Sequence, residues 1–196
     1  MNLGTGASPV PPLHPARLMS SMATPPPPDR ARALRGILNF RNRQRDRRLD
    51  LRWLRGVVRH TLVEQLHVSS TELCFHFVGT EEMADVNWQF LQHEGSTDVI
   101  TFDHRQTVAA DDQRPGTLHG EAFICVADAV KQAREFRTTW QSEAVRYVVH
   151  ALLHLQGYDD LQPAKRRVMK REENRVMREL ARRFDLARLE PPISLR

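Results

Sequence analysis

The chain has 196 residues, 40% of them hydrophobic, a formal net charge of +5 and only two cysteines. That length supports one core in one domain, and the cysteine count excludes a disulfide-framed scaffold. No apolar run approaches the roughly 18 residues of a membrane span, so the expectation is a soluble, cytoplasmic protein.

Charge is unevenly distributed. Residues 1–29 hold eight of the twelve prolines and no apolar periodicity, so a disordered segment is expected over 1–33. It lacks the basic start and apolar block of a secretory leader, and Met19 and Met22 offer later starts. From Arg30 to Arg55 ten arginines face Asp46 and Asp50, and Lys165 to Arg188 holds ten basic residues against four acids. Each block reads as a solvated face or as a surface for a nucleic-acid backbone, where cations displace condensed counterions. Arg41, Arg43, Arg45, Arg47 and Arg48 form the densest run.

Taken in chain order, the run from Gly36 to Gln44 reads as a first strand. Asp50 then opens an amphipathic helix on Leu51, Leu54, Val57, Val58, Leu62 and Leu66. Alternation of Leu73, Phe75 and Phe77 predicts a strand over 71–79, and Thr80 with Glu81 and Glu82 starts a helix whose apolar face is Met83, Val86, Phe90 and Leu91. A β-branched strand at 97–102 is followed by a polar loop from His104 to His119 and an apolar strand over 121–127. Asp128 is the expected cap of a helix to about Arg137, a core helix spans about Thr139 to Gln156, and a last helix runs from Pro163 to Phe184, with 185–196 as a tail. Cys74 and Cys125 lie inside strand runs and read as two reduced core thiols, and Trp53, Trp88 and Trp140 read as helix packing residues.

The chemistry concentrates at HALLHLQGYDD, 150–160. His150 and His154, four apart on a helix, stack on one face within reach of a single ion. A third ligand would come from the turn at Tyr158, Asp159 and Asp160 that follows Gly157. Ala151 stands where a zinc protease of the H-E-x-x-H type carries its general base, so peptide hydrolysis on that template is not expected. No phosphate-cradling glycine loop and no G-x-S-x-G elbow occurs. Glu143, seven residues before His150, shares its helical face and could support the ligands from behind. Asp98 reads as part of a buried network, while His104 and His119 face either RNA or water.

This string resembles the H-G-x-L-H-L-x-G-Y-D-H signature of the YbeY family, zinc-dependent endoribonucleases of rRNA maturation. Asn87 with Thr97 to Phe102 resembles the family's L-N-x(9)-T-D-V-L-S-F block, Gly120 to Ile124 its G-D-I-x-I strand, and Asn42 to Gln44 a common opening. The resemblance covers about Leu34 to Leu180, within an expected domain of 34–184. It implies one α/β (α+β) domain, a small mixed four-stranded sheet packed with about five helices, with the metal site on a core helix. It also implies zinc, with manganese or another divalent ion as a rival, held by His150, His154 and Asp160.

Asp160 stands where the family usually has a third histidine, and its negative charge favours harder metals. Leu91 stands where the family often has an arginine, which leaves any phosphate grip to Gln92, His93 or the Arg41 to Arg48 run. The function implied is metal-dependent cleavage of single-stranded RNA in 16S rRNA 3′-end maturation and ribosome quality control, with rRNA and the small ribosomal subunit as partners. The alternative is a non-catalytic RNA or ribosome assembly factor with a structural metal.

Overall fold

The structure is a computed structural model that describes residues 34–105 and 116–192. The expected disordered segment 1–33, most of the polar loop and the last four residues lie outside the described residues.

Four strands, β1 (Arg35–Asn42), β2 (Ser70–Val78), β3 (Val99–Asp103) and β4 (Thr117–Cys125), pair in the order β1-β2-β4-β3. β1, β2 and β4 are parallel, whereas β3 runs antiparallel to β4, which makes the sheet mixed. Parallel neighbours need a crossover. α1 (Leu51–His60), extended by a π turn over Thr61–Gln65, supplies the one from β1 to β2, and α2 (Thr80–Leu91) leads from β2 into β3. After β4 come α3 (Val126–Phe136), α4 (Trp140–Leu155) and α5 (Pro163–Arg183). Both the class and the element order read from the sequence hold.

Strand alternation divides the side chains between two faces. Leu38, Leu73, Phe75, Phe77, Leu118, Ala122 and Ile124 join buried residues of α1, α4 and α5 in the main core. On the opposite face a smaller cluster unites Val78, Met83 of α2, Ile100 and Cys125, flanked by Phe102 and Phe123. α4 is the central helix of the main core, with Ala144, Val145, Val148, Val149, Ala151, Leu152, Leu153 and Leu155 all buried. Gly120 lets the layers close: a Cβ there would stand 2.4 Å from the Phe102 carbonyl oxygen and 2.7 Å from Leu155 Cδ2.

Several boundaries differ from the sequence expectations. Asp50 caps α1 as expected, accepting from Trp53 N at 2.8 Å, and Thr139 caps α4 through Ser142 N. α2 starts at Thr80 as expected, with Gly79 at its cap. Asp128 lies inside the first turn of α3 rather than at its cap, where it accepts from Ser96 Oγ at 2.7 Å. His119 belongs to β4, because the parallel ladder with β2 begins at Thr117. Trp53 and Trp140 pack against the core, but Trp88 is 54% exposed, so it is not a packing residue. Beyond Phe184 the chain forms a 3-10 turn, Leu186–Leu189, whose Leu189 is fully buried and accepts from Asp50 N.

Candidate metal centre

α4 carries His150 and His154 one turn apart, and Gly157 ends the helix with φ of +96°, a conformation that suits glycine. The reversal is fixed by Gly157 N donating to His154 O at 2.8 Å and Tyr158 N to Leu153 O at 3.0 Å. It returns Asp160 to the histidines: Asp160 Oδ2 is 3.8 Å from His150 Nε2, and Oδ1 is 3.9 Å from His154 Nε2. The other acid of this turn is committed elsewhere. Asp159 accepts from Leu161 N at 2.8 Å and from Lys165 Nζ at 3.0 Å, and these bonds hold its carboxyl below the usual carboxylate range.

The proton positions on the two rings follow from their partners. His150 Nδ1 faces Glu173 Oε2 at 3.0 Å, and His154 Nδ1 faces the Tyr158 carbonyl oxygen at 3.1 Å. Burial pushes Glu173 up, but hydrogen bonds from His150, Arg146 and Lys170 outweigh it and bring the group down to about 2. Glu173 is therefore a carboxylate, an acceptor only, and a carbonyl is likewise an acceptor only. Each Nδ1 donates.

In the neutral rings both lone pairs then lie on Nε2, and these two atoms are 3.0 Å apart. Burial, followed by the neighbouring His150, lowers the pKa of His154, which favours its neutral form. Two facing lone pairs beside a carboxylate repel one another unless a cation lies among them. Tetrahedral zinc with ligands near 2.1 Å sets its donor atoms roughly 3.4 Å apart, close to the separations here. The donor set fits a divalent metal.

Glu173 was not singled out by the sequence. It lies in an arginine-rich helix whose acids read as solvated partners, yet it is 3% exposed and is bound by Arg146 at 2.7 Å and Lys170 at 2.9 Å. The signal was available in its position, on the same helix face as the buried Met169, Val176 and Leu180. Glu143, the residue expected behind the ligands, instead accepts from Thr138 Oγ1 at 2.7 Å and stands 3.5 Å from Arg146. Its link to His150 runs through Arg146 and Glu173. A groove of about 450 Å³ beside His150 is lined by Asp98, Tyr147, Arg146, Lys170 and Asn174.

The arginine run is not gathered at this centre. Arg43 pairs with Glu82 and lies over the Phe123 ring, and Arg47 lies over Trp140, at the first turn of α4. His150 is ten residues further along that helix, about 15 Å at the usual rise. Arg41, Arg45 and Arg48 are exposed, and Arg45, Arg47 and Arg48 line a groove with Asn42 and Glu190. Leu91 is 48% exposed, and Gln92 bonds back to the Trp88 carbonyl, so its amide is engaged in ending α2. Asn87 is buried and donates to Gly95 O at 2.8 Å, closing the loop that leads to β3. Asp98 caps the start of β3 through Val99 N.

A small mixed sheet covered by a buried helix that bears two histidines and a returning acid defines an α/β protein with a metal-type donor set. The same fold occurs in the solution structure of TM1509 from Thermotoga maritima, with a TM-score of 0.53 and 20% identity, spanning 81% of this chain and 99% of that one. A family model described as endoribonuclease YbeY matches residues 39–181. The endoribonuclease YbeY of Salinibacter ruber is 36% identical over 67% of this chain and 83% of its own length, and that of Finegoldia magna is 28% identical over 74% and 94%. This chain belongs to the YbeY family of endoribonucleases.

Proposed function

We propose that this protein is a metal-dependent endoribonuclease that cuts single-stranded RNA, acting in the cytoplasm on the 3′ end of 16S rRNA and in quality control of the small ribosomal subunit. The observation that carries the reading is the convergence of His150 Nε2, His154 Nε2 and Asp160 on one point, with both Nδ1 protons assigned outward. Zinc suits the two imidazoles, and the aspartate makes manganese a competitor. A divalent ion there supplies Lewis acidity toward a phosphodiester and toward the water that attacks it.

The chain's own residues supply the rest. Glu173 and the Tyr158 carbonyl hold the two rings in the tautomer that presents Nε2, and Arg146 with Lys170 keeps Glu173 ionised. The groove beside His150 offers Lys170 and Arg146 at its wall, where a nucleotide phosphate would meet positive charge. Arg41, Arg43, Arg45, Arg47 and Arg48 would hold the RNA backbone further along the strand. The test is cleavage of a single-stranded RNA by purified wild type and His154→Ala, with metal content measured on both. Cleavage that survives the substitution would sink the metal-dependent reading. Tight rRNA binding without turnover in the wild type would favour an assembly role.

A further inference from the structure

The sheet face opposite α4 carries a second set of donors. On β2, Cys74 and His76 are two residues apart and therefore share a face, and Cys74 is the register partner of Glu121 on β4. Their neighbours Leu73, Phe75 and Ala122 point the other way, into the main core. One donor atom from each of Cys74, His76 and Glu121 lies within 4.8 Å of the other two. The ring of His76 is fixed: it is 3% exposed and stacks on Phe123 at 4.4 Å, with Nε2 2.6 Å from Glu121 Oε2.

An ion pair between His76 and Glu121 does not complete this arrangement. His76 Nδ1 is buried with no hydrogen-bond partner. If Nε2 carries the proton toward Glu121, the lone pair on Nδ1 receives nothing; if Nδ1 carries it, the Nε2 lone pair faces a carboxylate. In either neutral tautomer one nitrogen of a ring almost wholly removed from water is unmet, which is costly, and a cation on Nδ1 would use that lone pair while Nε2–H still donates to Glu121 Oε2. We propose that Cys74, His76 and Glu121 form a second metal site that takes a zinc-class divalent cation through one thiolate, one imidazole and one carboxylate. Two anionic donors balance a divalent charge, and the thiolate selects zinc over magnesium or calcium. His104 Nε2 lies 3.6 Å from Glu121 Oε1, beside these donors.

Binding of the ion displaces the Cys74 sulfhydryl proton to solvent. The site is independent of the centre on α4, which contains no sulfur. Cobalt(II) separates the two, because a thiolate-to-cobalt charge-transfer band in the near ultraviolet requires cysteine.

The full chain, stripped with chelator, is titrated with Co²⁺. Two equivalents and the charge-transfer band are expected for wild type, one equivalent and no band for Cys74→Ser, and a retained band when His150 and His154 are both changed to alanine. Absence of the band at cobalt saturation of wild type, or its persistence in Cys74→Ser, would overturn the proposal. A second measurement does not depend on variants: Zn²⁺ should slow alkylation of Cys74 in wild type by roughly tenfold or more, mapped by mass spectrometry. Equal rates with and without zinc would also overturn it.

Discussion

Glu173 on α5 and His150 on α4 stand 3.0 Å apart through Oε2 and Nδ1, so a residue of the last helix sets the orientation of a proposed ligand on the core helix. Glu173→Gln keeps the shape and removes the charge that draws the Nδ1 proton. Metal affinity should fall by about 10- to 100-fold, the usual effect of losing a partner behind a ligating histidine. Competition with a chromophoric zinc chelator measures it, and unchanged affinity would mean that the ring is held by packing alone.

Asp160 would make the proposed donor set anionic. Asp160→Ala should leave two imidazoles and lower zinc affinity by at least about tenfold, whereas Asp160→His should bind zinc but discriminate more sharply against manganese, since imidazole is the softer donor. Equilibrium dialysis with both metals gives the selectivity directly. A variant with the same zinc-to-manganese ratio as wild type would place the third ligand elsewhere.

The exposed arginines are expected to act by charge. Replacing Arg41, Arg45 and Arg48 together by alanine should weaken binding of single-stranded RNA similarly across sequences. It should also flatten the salt dependence of log K by about 0.7 for each phosphate that is no longer neutralised. Affinity measured from low to moderate salt tests this. An unaltered slope would assign the run to solvent.

Two glycines predict opposite responses to alanine. At Gly120 the added methyl meets the Phe102 carbonyl oxygen and Leu155 Cδ2, so destabilisation of roughly 1–3 kcal/mol or more is expected. Gly56 sits exposed within α1 with nothing within 4 Å, so alanine there should stabilise by up to about 1 kcal/mol. Denaturant unfolding of both variants settles the contrast.

The two cysteines also differ. Burial pushes the Cys125 thiol up to about 12, so almost none of it is thiolate at pH 8. In a Cys74→Ser chain, no thiol should react with a disulfide reagent at pH 8 until the protein unfolds. Raising pH alone toward 9 should not expose it, because that remains well below the folded value. Rapid labelling of the native variant would show that the β4 to α3 junction opens.

The parts legible in the sequence were those that rest on periodicity and local spacing. Strand alternation in 71–79, the apolar run of α4 and the four-residue spacing of His150 and His154 each reflect one element meeting one core. Boundaries were less legible where a partner strand decides them: His119 looks like loop until the ladder with β2 is known. Only resemblance selects Asp160 over Asp159 in the sequence; in the structure Asp159 bonds Leu161 N and Lys165 while Asp160 faces the two histidines. Glu173 and the Cys74, His76, Glu121 set depend on side chains that meet across 23 and 45 residues of sequence, which no local pattern encodes.

The outward assignment of both Nδ1 protons has a thermodynamic consequence. The acceptors that fix them are anchored on α5 and on the turn after α4, so the fold alone orients the imidazoles. Little rotamer entropy remains to be lost on metal uptake, and the repulsion between the facing nitrogens is relieved at the same moment. If the proposed site binds an ion, occupancy should register as resistance to unfolding, the ion serving as a clasp between the core helix and the segment that follows it.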